Sequence, residues 1–276
     1  MSPRSRIILG AALAALVAVA LLVPGKQRSA DYTAGSVPRS AAAFVDSIGV
    51  VTHLQYRSTA YARQDEVLRR LRESGIRNLR EAAPVNAPEL EKGLRAAALF
   101  GVRGTLGFGL DVNPQVGVGA GVRAMGDAVA AFEGPNEVDT SGPPDWPARL
   151  KTFMPALRAA VRAQAGAGTP VVGPSFVNAS LYRNVDPRTF DVANLHPYPG
   201  GLPPEPVFEA QRGRGLELAP GKKLAFTEIG YHNALTAKVG QPPASEQAAA
   251  VYLPRALLWA FAHHVDRTFV YELLDE

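Results

Sequence analysis

The stretch Val129-Ala130-Ala131-Phe132-Glu133-Gly134-Pro135-Asn136-Glu137 decides how the chain folds. Five residues, four of them apolar, read as a short buried strand. Gly134-Pro135 then ends it, because proline brings no ladder donor and glycine marks a turn. The carboxylate of Glu137 is left just past the strand's C-terminal end. Downstream, Trp146 to Gln164 carries apolar residues at helical spacing, and Thr169 to Gly173 is strand-like again.

The same unit recurs on both sides. Upstream, the strands are Ser47 to His53, Ile76 to Glu81 and Gly104 to Leu110. Helices Asp65 to Ser74, closed by Gly75, and Glu89 to Phe100, closed by Gly101, separate them, and Ala124 to Val129 makes a short connection. Downstream come Phe190 to His196, then a Pro/Gly-rich loop from Pro197, then Lys222 to Glu228, the helix Ser245 to His263, and Arg267 to Leu273. Eight apolar strands alternating with amphipathic stretches are the pattern of a parallel sheet wrapped by helices. Units of about 28 residues fit the economical end of a (β/α)8 TIM barrel, here the domain 46–276. An open doubly wound sheet would carry a Gly-rich phosphate loop after an early strand. Gly117-Val118-Gly119-Ala120-Gly121 follows Asp111-Val112-Asn113-Pro114 rather than a strand, and reads as a flexible surface loop. The chain stops on the eighth strand, so the barrel is expected without its last helix.

Composition narrows the function classes. With 29 basic and 25 acidic residues the formal charge is +4, and no basic run is dense enough to track a phosphate backbone, so nucleic acid is not an expected partner. Without cysteine there is no disulfide, thiolate nucleophile or cysteine-ligated zinc. No His-Glu-x-x-His, EF-hand or Gly-x-Ser-x-Gly pattern occurs, so neither a metal nor another cofactor is expected. Arg4 and Arg6 precede the apolar run Ile7 to Val23, which Pro24-Gly25 closes. Residues 1–30 therefore read as a signal peptide or an uncleaved signal anchor, and 31–45 as a linker. Both readings imply export, and any membrane contact would run through this segment.

Two glutamates stand at strand ends, Glu137 after strand four and Glu228 in Leu224-Ala225-Phe226-Thr227-Glu228 at the end of strand seven. They are three units apart, which sets them nearly opposite across the mouth where a barrel keeps its chemistry. Retaining glycosidases need such a pair about 5–5.5 Å apart. Asn-Glu after strand four with a lone Glu ending strand seven resembles the signature of the clan A glycoside hydrolases, over residues 46 to 276. The resemblance implies Glu137 as acid/base, Glu228 as nucleophile and Asn136 as the partner of a sugar 2-hydroxyl. It also implies Arg80, in Arg77-Asn78-Leu79-Arg80-Glu81, as the guanidinium that holds Glu228 ionised. The alternative for Arg80 is an ion pair with Glu81.

His196 and Tyr198, in Leu195-His196-Pro197-Tyr198, resemble clan segments that set a ring against the nucleophile or sugar; a structural hydrogen bond is the alternative for His196. His53 and Tyr231 are candidates for hydroxyl recognition. Trp146 either stacks on sugar or packs in the core. Glu133 could orient Glu137 or Asn136, while Asp65, Glu66, Glu89 and Glu91 read as helix-start charges. Clan members often carry an aromatic platform at the end of strand eight, where this chain has Tyr271 and Glu272. The expected function is retaining hydrolysis of an O-glycosidic bond in a cell-envelope or environmental oligo- or polysaccharide. The alternative is a carbohydrate-binding barrel with little or no turnover.

Overall fold

The computed structural model describes residues 39–238 and 240–274. The apolar run Ile7 to Val23 lies outside them, and no helix among the described residues is long and apolar enough to cross a membrane. Eight parallel strands form a closed barrel in sequence order: β1 Ile48–Val51, β2 Asn78–Ala82, β3 Arg103–Gly107, β4 Val129–Glu133, β5 Val171–Val172, β6 Val192–Leu195, β7 Lys223–Ile229 and β8 Thr268–Val270. Ile48 pairs with Thr268 and Val50 with Val270, so the first and last strands meet directly.

The helices are α1 Ala41–Asp46, α2 Gln64–Ser74, α3 Pro88–Leu99, α4 Pro114–Met125, α5 Val138–Ser141, α6 Trp146–Gln164, α7 Pro204–Leu218 and α8 Glu246–Ala262. Helix α1 occupies the end of the stretch read as linker. Asp65 and Glu66 lie in the first turn of α2, and Glu89 and Glu91 in that of α3, where the helix dipole favours them. Between β5 and β6 there are only two 3₁₀ segments, Ala179–Asn184 and Pro187–Thr189. No helix follows β8 among the described residues. Phe44 of α1 instead meets Phe261 of α8 edge-on at 5.3 Å.

Two readings of the sequence are corrected. The glycines 117–121 are not a surface loop but the middle of α4, whose Asn113 N-cap accepts from the amides of Gln115 and Val116. A Cβ on Gly121 would stand 2.7 Å from Leu106 and 2.8 Å from Phe132, so the missing side chain lets the helix lie close on β3 and β4. The Pro/Gly-rich stretch before β7 likewise contains α7, where a Cβ on Gly215 would stand 2.9 Å from Leu195 and 3.2 Å from Leu224. In both, glycine lowers helix propensity but wins close packing.

The apolar core fills the space between strands and helices, with Leu54, Leu79, Leu94, Leu106, Phe132, Phe208 and Phe226 fully buried. A small second cluster joins Ala131, Val172, Val192 and Ala225. Above it the interior turns polar. Arg80, Glu133 and Asn194 are all buried and come from β2, β4 and β6, alternate strands as in the side-chain layers of a barrel.

Candidate active site

The site is built outward from Glu133, fully buried at the end of β4. Its Oε1 accepts from Arg80 Nη2 at 2.8 Å, Asn194 Nδ2 at 2.9 Å and Thr227 Oγ1 at 3.0 Å, and its Oε2 accepts from Arg80 Nε at 2.8 Å. This two-pronged pair fixes the guanidinium plane. The remaining Arg80 nitrogen, Nη1, donates to Glu228 Oε1 at 2.7 Å, and Nη2 also reaches Asn136 Oδ1 at 2.6 Å. Glu133 therefore acts on Arg80, rather than directly on Glu137 or Asn136.

The ion-pair alternative for Arg80 is corrected too. Glu81 turns to the loop after β1, where it accepts from Leu54 N at 2.7 Å and Thr52 Oγ1 at 3.0 Å, one on each side of His53. Burial pushes the Glu81 carboxyl up to about 8, against the hydrogen bonds of Leu54, Ala82 and Thr52 and the charge of Arg80.

Glu228 receives Tyr198 Oη on Oε2 at 2.7 Å. Burial alone would raise its pKa; the charges of His196 and Arg80 and the hydrogen bonds from Tyr198 and Arg80 outweigh burial and hold it below the usual carboxylate range. Tyr198 is itself shifted upward by burial and by Glu228, so its hydroxyl keeps its proton.

Glu137 begins α5 with a left-handed backbone, φ 39° and ψ 46°, a conformation that non-glycine residues rarely adopt. Buried Ser175 holds it there. Ser175 Oγ accepts the Glu137 amide at 2.8 Å and donates to Asn136 Oδ1 at 3.2 Å, and the Ser175 amide donates to Pro135 O at 3.1 Å. With two donors on Asn136 Oδ1, the amide nitrogen of Asn136 is left for the cleft. The Glu137 carboxyl meets His196 Nδ1 at 2.9 Å, and Nδ1 lies 3.6 Å from Glu228 Oε2.

One oxygen from each glutamate and a His196 nitrogen all lie within 4.8 Å of one another. Among the described residues this is the cluster that could offer three donor atoms to a metal ion. Arg80 already supplies a cation 2.7 Å from Glu228.

His53, Arg80, Asn136, Glu137 and Glu228 line a cleft of about 790 Å³, with Gln55, Asp111, Arg149 and Tyr271. His53 stacks on Tyr56, ring centroids 4.7 Å apart. Tyr198 and Tyr231 line a second cavity of about 970 Å³, which shares Tyr271 with the first; the Tyr231 hydroxyl donates to Leu202 O at 3.1 Å. Trp146 lines neither and packs on Phe176, centroids 5.7 Å apart.

Ser175, Thr227 and Gln55 were not singled out in the sequence. A polar residue inside an apolar strand, such as Asn194 or Thr227, is the signal that points inward to the site.

No family model and no curated protein matches this sequence. Solved structures do match its fold. A glycoside hydrolase family 17 β-1,3-glucanosyltransferase from Rhizomucor miehei superposes with a TM-score of 0.62 at 14% identity, over 83% of this chain and 87% of that one. The GH39 enzyme from Xanthomonas axonopodis pv. citri gives 0.59 at 16%, over 85% and 60%. A mutant of Bacteroides uniformis β-glucuronidase 2 gives 0.62 at 12%, over 82% of this chain and 30% of that one. The chain is thus a (β/α)8 barrel, the fold it shares with these enzymes.

Proposed function

We propose that this protein hydrolyses an O-glycosidic bond of an oligo- or polysaccharide with retention of anomeric configuration. One observation carries the reading: carboxylate oxygens of Glu137 and Glu228 approach within 4.8 Å across the barrel mouth. That is the close spacing of a nucleophile and an acid/base, tighter than a pair leaving room for water, about 6.5–9.5 Å apart. Glu228, kept ionised by Arg80 and Tyr198, attacks the anomeric carbon. The bond to the leaving oxygen breaks as Glu137 gives that oxygen its proton. Asn136 donates to the 2-hydroxyl. Water then attacks the glycosyl-enzyme, Glu137 takes the proton from it, and Glu228 is released. Sugar in place of water would give transfer, the activity named for the Rhizomucor neighbour.

A panel of aryl glycosides tests this with wild type, Glu137→Ala and Glu228→Ala. Wild type turns over at least one, and both variants lose about three orders of magnitude or more of kcat. Azide restores turnover to Glu228→Ala with a glycosyl azide of inverted configuration. Wild type inert on the whole panel, yet binding oligosaccharide, would make the protein a carbohydrate-binding barrel instead.

A further inference from the structure

Resting on Glu137 as the acid/base, we infer that Thr227 is a positioning residue: through His196 it fixes where the catalytic proton sits. The inference follows from counting hydrogens around one buried hydroxyl. Thr227 Oγ1 is fully buried and has three close partners: Asn194 Oδ1 at 2.7 Å, His196 Nε2 at 2.9 Å and Glu133 Oε1 at 3.0 Å. Asn194 is oriented unambiguously, because its Nδ2 faces two acceptors, Glu133 Oε1 at 2.9 Å and Gly173 O at 3.4 Å. Its Oδ1 therefore faces Thr227. Glu133 is bound by Arg80 through both oxygens and has no hydrogen to offer. Given to His196, the single hydroxyl hydrogen of Thr227 would leave both oxygen contacts without one; given to Asn194 or Glu133, it leaves only one, so it goes to an oxygen. Two contacts then remain, and of these only the one to His196 can gain a hydrogen, which it does when Nε2 carries one and donates it to Thr227 Oγ1.

That settles the other side of the ring. With its hydrogen on Nε2, a neutral imidazole presents a lone pair at Nδ1, 2.9 Å from Glu137 Oε1. A bare carboxylate there would set lone pair against lone pair. The contact holds one proton, carried either by Glu137 as a donor to Nδ1 or by the ring as an imidazolium facing the Glu137 carboxylate. The charged and titratable groups around the ring are Glu137 from the loop after β4, Glu228 from β7 with the Tyr198 hydroxyl on its Oε2, and, beyond Thr227, the Arg80–Glu133 pair from β2 and β4. Thr227 thus excludes the arrangement in which a neutral His196 donates from Nδ1 to an already deprotonated Glu137. When Glu137 passes its proton to the leaving oxygen, the Nε2 hydrogen stays in place. The vacated contact then favours taking a proton back from the attacking water.

The test is nitrogen NMR on histidine-labelled protein, read beside the pH profile. In wild type, His196 Nε2 is protonated throughout the active pH range, and Thr227→Val releases the ring to the Nδ1–H form. The same change moves the alkaline limb of kcat/KM acidward by about half to one pH unit, the effect of one buried hydrogen bond. Thr227→Ser restores both. A neutral Nδ1–H ring in wild type overturns the inference, and so does a Thr227→Val protein whose ring form and alkaline limb match wild type. The wild-type spectrum alone decides should the valine variant fail to fold. Nε2 protonated in a protein with no glycosidase turnover would support the assignment of the ring while overturning the proposed reaction.

Discussion

The Tyr198 hydroxyl and the Arg80 guanidinium each occupy one oxygen of Glu228, and this sets the acid side of the pH dependence. The folded-state pKa of Glu228 is depressed, so the proposed nucleophile stays ionised into acid, and under the proposed reaction the acidic limb of kcat/KM should fall below the usual carboxylate range. Tyr198→Phe removes one of the two supports and moves that limb upward by about half to one pH unit. The sign for stability is the same. A depressed carboxylate contributes stability above its unfolded pKa, and the contribution is lost as pH falls through the folded value. Urea midpoints of Glu228→Gln between neutral and acid pH therefore fall less steeply than those of wild type. At this scale strand ends and unit spacing pointed to Glu137 and Glu228, and the resemblance added Asn136 and Arg80. The sequence was silent on Ser175 and Thr227. Their importance lies in hydrogen bonds between strands, and no local pattern records which neighbours a strand will have.

Elements built on glycine were the hardest to read. Helix α4 carries valid start signals in Asn113 and Pro114, yet its glycines at 117, 119 and 121 argue locally for a loop. Tertiary packing overrides that local preference. In an unconstrained helix Gly121→Ala would gain about 0.5–1 kcal/mol of stability. Here its methyl would press on Leu106 and Phe132, so denaturation should show a loss of about 1–3 kcal/mol instead. Gly168→Ala, with nothing near its Cβ, should stay within about 0.5 kcal/mol of wild type. A stabilised Gly121→Ala would show that the glycine is not there for packing. Helices that declare themselves by apolar spacing and terminal charge, as α2 and α3 do, were legible in the sequence.

For the whole molecule, eight strands separated by helical stretches fit either a barrel or an open doubly wound sheet, since both bury the two faces of a parallel sheet, and the lack of a Gly-rich phosphate loop after an early strand pointed to the barrel. The path of the final segment was not legible. Beyond β8 the Leu273 amide bonds Val51 O at 3.1 Å, and the Leu274 amide bonds the Tyr61 hydroxyl at 3.2 Å. These bonds link the segment after β8 to β1 and the loop that follows it. The pairing of Ile48 with Thr268 has a consequence for kinetics. It joins the two ends of the barrel sequence, the kind of distant contact that forms slowly during folding. Arg80 and Glu228 lie on strands separated on one side by that seam, so the ion pair between them matures only as the ring shuts. Trp146 and Trp259 pack on nearer neighbours, Phe176 and His263. On dilution from denaturant, tryptophan fluorescence should recover before the ability to bind saccharide or turn over an aryl glycoside. In that order of events, the chemistry is the last thing the chain learns to do.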